Sequence, residues 1–172
     1  MPNNFKTFSI ITPVLNNKEG LIRTIESIKK QNFRNYEIIV IDGGSNDGTK
    51  QYLENEKAIT KKISEPDKGI YDAINKGINI SNAEYINTIN AGDEYFSENS
   101  LQIIKNYFDH NADISFVFGA VKKDKVYYKY EPKKMNWSFN FYPAHSGGFF
   151  IKKKVHDCLL YTSPSPRDFT ES

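Results

Sequence analysis

Among its 172 residues the chain has a single cysteine, Cys158, and a single tryptophan, Trp137. A lone thiol excludes an intrachain disulfide and a zinc cluster of cysteines, and it suits a reducing compartment. An excess of charge of one sign is missing as well: 23 Lys and Arg stand against 21 Asp and Glu, for a formal net charge of +2. That balance falls short of the footprint of a dedicated nucleic-acid binder, so no nucleic-acid partner is expected and an anionic ligand must be held by a local site. Nothing approaches the roughly 18 to 20 consecutive apolar residues of a membrane helix. Met1-Pro2-Asn3-Asn4-Phe5-Lys6 contains no apolar stretch of signal-peptide length, so a cytoplasmic protein is the expectation. The sequons at Asn79-Ile80-Ser81 and Asn136-Trp137-Ser138 therefore carry little weight. What is present, 38% hydrophobic and 14% aromatic residues, suffices for one core, and the length excludes a second large domain.

Through residue 110, short β-branched runs alternate with stretches of helical period, which implies βαβ units around a mainly parallel sheet. Residues 8–14 read as a first strand, with Pro13 near its end, where a missing N–H does least harm. Leu21, Ile22, Ile25 and Ile28 recur at helical spacing across residues 19–30, with charges on the opposite face. Residues 36–42 form a second strand, broken by Gly43-Gly44-Ser45-Asn46-Asp47-Gly48-Thr49 before a helix through Tyr52 and Leu53. A weaker strand over 59–64 precedes a helix with Ile70, Ala73, Ile74 and Ile78 on one side. A fourth strand over 85–90 precedes another, marked by Leu101, Ile104, Tyr107 and Phe108. From Asp113 the pattern changes. Residues 114–121 and 126–130 are strand-like around a hairpin turn at Lys122-Lys123-Asp124-Lys125, and Gly147-Gly148-Phe149-Phe150-Ile151 returns to a buried strand. An α/β fold with an antiparallel edge near residues 113–151 is expected, without internal repeats.

In an open parallel sheet, ligands bind beyond the carboxyl ends of the strands. Those ends are polar here: Thr12-Pro13-Val14-Leu15-Asn16-Asn17-Lys18-Glu19, then Asp42, then Glu65 and Asp67, then Asn90-Ala91-Gly92-Asp93. Ser9-Ile10-Ile11-Thr12-Pro13-Val14-Leu15-Asn16 and Ile41-Asp42-Gly43-Gly44-Ser45-Asn46-Asp47-Gly48-Thr49 resemble the opening motifs of family-2 glycosyltransferases, which have the Rossmann-like GT-A fold. The later run from Ser64-Glu65-Pro66-Asp67-Lys68-Gly69 to Ala73-Ile74-Asn75-Lys76-Gly77 resembles a subfamily that decorates bacterial cell-surface polysaccharides. The ordered motifs cover roughly residues 8–155.

The resemblance implies a donor, a UDP- or GDP-linked sugar, lying across the strand ends. Thr12, Pro13, Asn16, Glu19 and Asp42 would surround base and ribose, and a carboxylate can accept the ring N–H of uracil or the N–H pair of guanine. The competing reading of Asp42 is a cap on the following helix. Asp67, Lys68 and Gly69 precede a helix whose N-terminus favours anions, and Lys68 either meets phosphate or pairs with Asp67 or Asp72. Asn75 and Gly77 fit a family pattern, although the first can simply satisfy backbone groups and the second allow close packing. Asp93 matches the last aspartate of the family's DxD-type motif, which implies a divalent cofactor, Mn2+ or Mg2+; a hard cation accepts one carboxylate with phosphate oxygens and water. Asn90 and Gly92 stand where many relatives carry acids, and Asn90 is counted with the donor contacts. A solvated loop aspartate is the alternative for Asp93.

His145 matches a histidine before an aromatic strand in the resembled subfamily, where it would assist the metal or the departing diphosphate; a structural histidine is the alternative. Tyr127, Tyr128, Tyr130, Trp137, Phe139, Phe141 and Tyr142 can stack on sugars or pack an edge sheet. Family-2 enzymes invert configuration, an acceptor hydroxyl attacking the anomeric carbon while a carboxylate removes its proton, a step worth roughly 100- to 10,000-fold. The implied acceptor is a saccharide or lipid-linked hydroxyl, with peripheral association at the inner face of the membrane. Neither Asp157 nor Asp168 is assigned as the base. Residues 158–172, with Ser163-Pro164-Ser165-Pro166, resemble translated sequencing adaptor and are expected to be a disordered, non-native tail on a domain over 1–157 that is incomplete at its C-terminal side. A nucleotide-binding pseudoenzyme or donor-binding fragment is the second reading. A nucleotidylyltransferase would need a glycine-rich loop after the first strand, and residues 12–19 contain no glycine.

Overall fold

A computed structural model of the chain describes residues 5–123, 126–128 and 146–155. Four strands, β1 (Lys6–Val14), β2 (Tyr36–Asp42), β3 (Lys61–Ser64) and β4 (Ala83–Thr88), are each followed by a helix, in turn α1 (Lys18–Lys29), α2 (Thr49–Asn55), α3 (Ile70–Ile80) and α4 (Ser100–His110). These strands are parallel and stand in the order β3-β2-β1-β4. The chain then forms β5 (Phe116–Phe118), a ribbon of β6 (Val121–Lys123) and β7 (Val126–Tyr128), and β8 (Phe149–Lys152), which follows a short 3-10 turn at Ser146–Gly148. β8 runs antiparallel to both β4 and β5, so the main sheet ends β4-β8-β5. This is the α/β fold with the antiparallel edge that the alternating pattern implies.

β1 and β2 read as continuous apolar runs because the sheet is covered on both faces. Phe8, Ile10 and Val14 pack on one face with Ile38, Val40, Leu21, Ile25 and Ile28, whereas Ile11 packs on the other with Ile39, Ile41, Ile74 and Ile78. α3 lies close on this second face: a Cβ on Gly77 would stand 2.5 Å from Ile11 Cγ2, which gives this glycine the packing role.

Several expected boundaries shift by one or two residues, and two of the differences have a cause in the backbone. β4 stops at Thr88 instead of Asn90. Ile89 N–H donates to the Ile11 carbonyl and Ala91 N–H to the Pro13 carbonyl, so Pro13 faces β4 but has no N–H to return, and the ladder cannot continue. The run over 114–121 is divided between β5 and β6, in different sheets. Gly119 N–H donates to the Gly148 carbonyl at 2.6 Å, closing the β5 edge before the chain leaves for the ribbon.

At the amino-terminal side of the sheet a charge is buried. Glu37, 3% exposed, accepts from Ser9 Oγ and Asn82 N at 2.5 Å each and pairs with Lys61 Nζ at 2.9 Å. The same Nζ donates to the Ile80 carbonyl at the end of α3, at 2.7 Å, where a cation meets the negative pole of the helix. Burial pushes the Glu37 carboxyl up, but the Ser9 hydroxyl, the Asn82 N–H and Lys61 together outweigh it and hold the group below its ordinary 4.5. A depressed carboxyl contributes stability that is complete above its unfolded pKa and lost as pH falls through the folded one. Urea titrations should therefore show stability falling as the pH drops below about 4.5, with a flatter acid limb in Glu37→Ala. That variant removes the Lys61 ion pair and strands Ser9 Oγ and Asn82 N, and should lose about 3 kcal/mol at pH 7.

Candidate functional site

Because β1 to β4 are parallel neighbours, the segments that follow them, residues 15–17, 43–48, 65–69 and 89–99, leave along one edge. Backbone bonds join these departures: Gly43 N to the Val14 carbonyl at 2.9 Å, Glu65 N to the Asp42 carbonyl at 3.0 Å, and Ala91 N to the Pro13 carbonyl at 3.3 Å. Two adjacent asparagines add side-chain links. Asn16 takes a left-handed turn, φ 50°, which asparagine tolerates better than most residues. Its N–H donates to Ser45 Oγ at 2.8 Å and its Oδ1 accepts from Asn46 N at 2.9 Å. Asn17 caps α1, with Oδ1 accepting from Gly20 N at 3.1 Å, while its Nδ2 donates to the Ala91 carbonyl at 2.9 Å. A Cβ on Gly20 would come within 2.4 Å of that amide, so the close approach requires glycine.

Asp42 ends β2 fully buried. Its Oδ1 accepts from Ser45 N at 3.0 Å and from the Ser45 hydroxyl, and its Oδ2 accepts from Ser64 Oγ at 2.7 Å. The carboxylate thus clasps the loops after β2 and β3; it does not cap α2. Asp47 takes that role, with Oδ1 accepting from Thr49 N at 3.1 Å and Thr49 Oγ1 at 2.6 Å, and Oδ2 accepting from Lys18 N at 2.9 Å. The Thr49 hydroxyl, followed by the Lys18 N–H, holds the Asp47 carboxyl below the usual range. Its signal is the aspartate placed just before a Gly-Thr helix start.

The carboxylate of Asp67 lies against the backbone of Gly43, where a Cβ would meet Oδ2 at 2.6 Å, and its Oδ1 accepts from Gly69 N at 2.8 Å. Asp72 accepts from Lys68 N at 3.1 Å and pairs with Lys76 at 3.3 Å, which also reaches Glu65 at 2.8 Å. The entrance to α3 is therefore lined by carboxylates already engaged. The Lys68 side chain is exposed, and among the described residues it makes no ion pair with Asp67 or Asp72.

The turn over residues 90–93 rests on buried Thr24 of α1. Its hydroxyl donates toward the Asp93 carbonyl at 2.7 Å and the Asn90 carbonyl at 3.3 Å, and accepts from Gly92 N at 2.9 Å. Asp93 itself is exposed. Among the described residues no three His, Cys, Asp or Glu side chains gather as a metal-binding group. One exposed carboxylate still fits a hard cation whose remaining oxygens come from ligand phosphates and water.

The other expected contacts are divided by depth. Thr12 and Pro13 are buried beneath the rim, and the Thr12 hydroxyl has no hydrogen-bond partner. Asn16, Glu19 and Gly69 are exposed, and Asn90 is half-buried. Tyr127 and Tyr128 fall in β7. His145, the aromatics from Tyr130 to Tyr142, Asp157, Cys158 and Asp168 lie outside the described residues.

The parallel sheet, the polar loops spliced along its carboxyl edge and the antiparallel extension define a Rossmann-like domain of the GT-A kind. The chain belongs to glycosyl transferase family 2, whose model matches residues 9–168. That range runs into the segment from Cys158 onward, which the sequence reading separates as a tail. An uncharacterised glycosyltransferase of Mycobacterium tuberculosis is 40% identical over 91 residues, which are 52% of this chain and 35% of that protein. Two solved structures share the fold. S. aureus TarS 1-349 in complex with UDP-GlcNAc superposes with a TM-score of 0.72 at 16% identity, over 89% of this chain and 47% of that one. The mannosyltransferase PcManGT from Pyrobaculum calidifontis, in complex with GDP-Man and Mn2+, gives 0.69 at 16% identity, over 92% and 48%. The chain thus spans about a third of the mycobacterial relative's length and about half of each structural neighbour's.

The rim geometry predicts opposite responses from two neighbouring positions. Thr24→Val keeps the shape but strands Gly92 N and two carbonyls, and should cost about 2 kcal/mol. Asp93→Asn alters an exposed carboxylate and should stay within about 0.5 kcal/mol of the parent. Urea unfolding at neutral pH measures both.

Proposed function

We propose that the carboxyl rim binds a nucleotide-diphosphate sugar, UDP- or GDP-linked, and that the protein to which this sequence belongs transfers the sugar with inversion to a saccharide or lipid-linked hydroxyl. The observation that carries this reading is the splicing of four strand-end loops into one edge, which brings the segments bearing Asp42, Asp67, Lys68 and Asp93 to the same end of the sheet. Family membership supports it, as do the ligands named for the two structural neighbours, UDP-GlcNAc and GDP-Man.

The roles proposed for the described residues are consistent with their environments. A carboxylate offers about four acceptor positions. Asp42 uses two on Oδ1 and one on Oδ2, and its remaining position would accept a base N–H if the loops over this buried carboxylate part for the donor. Asn16 and Glu19 border the ribose side, over the floor made by Thr12 and Pro13. Lys68 presents an ammonium to the diphosphate, while Asp67, Gly69 and Asn90 shape the loops beside it. Asp93 would hold Mn2+ or Mg2+, and the bound cation would neutralise charge growing on the departing diphosphate, a form of electrostatic stabilisation that is often the largest catalytic contribution. His145, assigned by resemblance, would assist the metal or the departing diphosphate. An acceptor hydroxyl replaces the diphosphate at the anomeric carbon, and its proton passes to a base outside the residues assigned here. The reaction would run in the cytoplasm, and a lipid-linked acceptor would bring it to the inner face of the membrane.

Isothermal titration of the 172-residue chain with UDP and GDP, with and without Mn2+, tests the donor site. One of the two nucleotides should bind more tightly with the metal, and Asp93→Asn should remove that gain, a loss of about tenfold or more. Absence of metal-dependent binding of either nucleotide would contradict the proposal. Donor hydrolysis or transfer, followed by release of the nucleoside diphosphate, distinguishes an enzyme from a binding module.

A further inference from the structure

Asn87 is an anomaly in the middle of β4. It is fully buried, in a strand that otherwise supplies Tyr85 and Ile86 to the two cores. A primary amide buried in a sheet is tolerated only when its donors and acceptor are paired. Here Nδ2 donates to the Phe149 carbonyl at 2.8 Å and the Gly147 carbonyl at 3.2 Å, and Oδ1 accepts from Tyr95 Oη at 2.7 Å.

The position of this amide matters. The β4–β8 ladder ends at Asn87 opposite Phe150, so the side chain takes over where backbone pairing stops. On one side it grips the turn over Ser146–Gly148 that enters β8. On the other it grips Tyr95, in the loop that carries Asp93. Tyr95 N–H is anchored in turn to Ser27 Oγ of α1 at 2.8 Å, one helical turn from the Thr24 that holds residues 90–93. Burial pushes the Tyr95 phenol up, which keeps it an O–H donor across the neutral range.

Resting on the donor-site reading above, we infer that Asn87 and Tyr95 are a positioning pair that sets the Asp93 loop against the Gly147–Phe149 carbonyls, and so tunes the diphosphate end of the site without touching the ligand. Core packing alone does not call for an amide at position 87; the amide bridges two segments that no backbone ladder joins.

Tyr95→Phe removes a single hydroxyl and keeps the ring. In the full chain it should accelerate amide exchange at Gly92, Asp93 and Tyr95 several-fold while amides of β1 and β2 exchange at the parental rate. Affinity for UDP or GDP in the presence of Mn2+ should fall about tenfold, with metal-free affinity unchanged. Asn87→Leu should show the same pattern more strongly, and Tyr95→Phe keeps the test decisive where Asn87→Leu fails to fold. Parental exchange at residues 92–95 and parental metal-dependent affinity in Tyr95→Phe would overturn the inference while leaving the donor site standing. Uniformly faster exchange across the core, or equal losses with and without metal, would assign the pair to stability alone and overturn it too. A parent chain that binds neither nucleotide overturns the donor-site proposal, and this inference with it.

Discussion

Where β1 ends, the chain must leave the middle of the sheet with a neighbour's loop on either side, and Asn16 and Asn17 satisfy both at once. Asn16 reaches the loop after β2, helped by its left-handed backbone, while Asn17 reaches the loop after β4 and starts α1 with the same amide. Neutral amides are well suited to this work, since each carries both donors and an acceptor and none brings a charge that needs a counter-ion. Asp42, Asp47 and Thr24 then fix the individual loops onto this frame. The opposite edge is held by different physics, a buried carboxylate locked to a lysine and a helix terminus.

The division has a chemical consequence. Most carboxylates near the carboxyl edge are committed to backbone N–H groups and hydroxyls, so the edge is more rigid, and presents less unpaired negative charge, than its composition implies. Asp47, Asp67 and Asp72 cap turns, and Asp42 clasps two loops. Lys68 and Asp93 remain outward-facing. An anionic ligand with two phosphates would meet the exposed Lys68 ammonium and one carboxylate able to share a metal, against a background of loops already ordered by folding.

Much of this was legible from residue order. Hydrophobic runs and periods placed the parallel strands, all four long helices and the antiparallel return, because burial on both faces of a sheet leaves an unmistakable pattern. The features that escaped are those set by partners distant in sequence. Pro13 reads as harmless near the end of its own strand, yet its missing N–H ends the neighbouring one. Asp42 reads as a donor contact with a helix cap as the alternative, and its bond to Ser64, 22 residues away, is not visible in the sequence. Asn87 and Glu37 sit inside apolar runs, where one-dimensional pattern treats them as noise; only the three-dimensional pairing with Tyr95, or with Ser9 and Lys61, gives them meaning. Residues 129–145 carry the aromatic segment and His145, so that part of the reading stands on motif resemblance alone.

On the proposed function, the four spliced strand ends form one nucleotide-binding edge. An amide-resolved NMR titration of the chain with UDP or GDP and a diamagnetic Mg2+ addresses it directly, because every loop at issue reports separately. The account predicts shifts concentrated at residues 15–19, 42–48, 65–69 and 90–93, with Lys61, Asn82 and Glu84 at the opposite end unmoved. Saturable shifts centred on that opposite end, with the carboxyl edge silent, would contradict it.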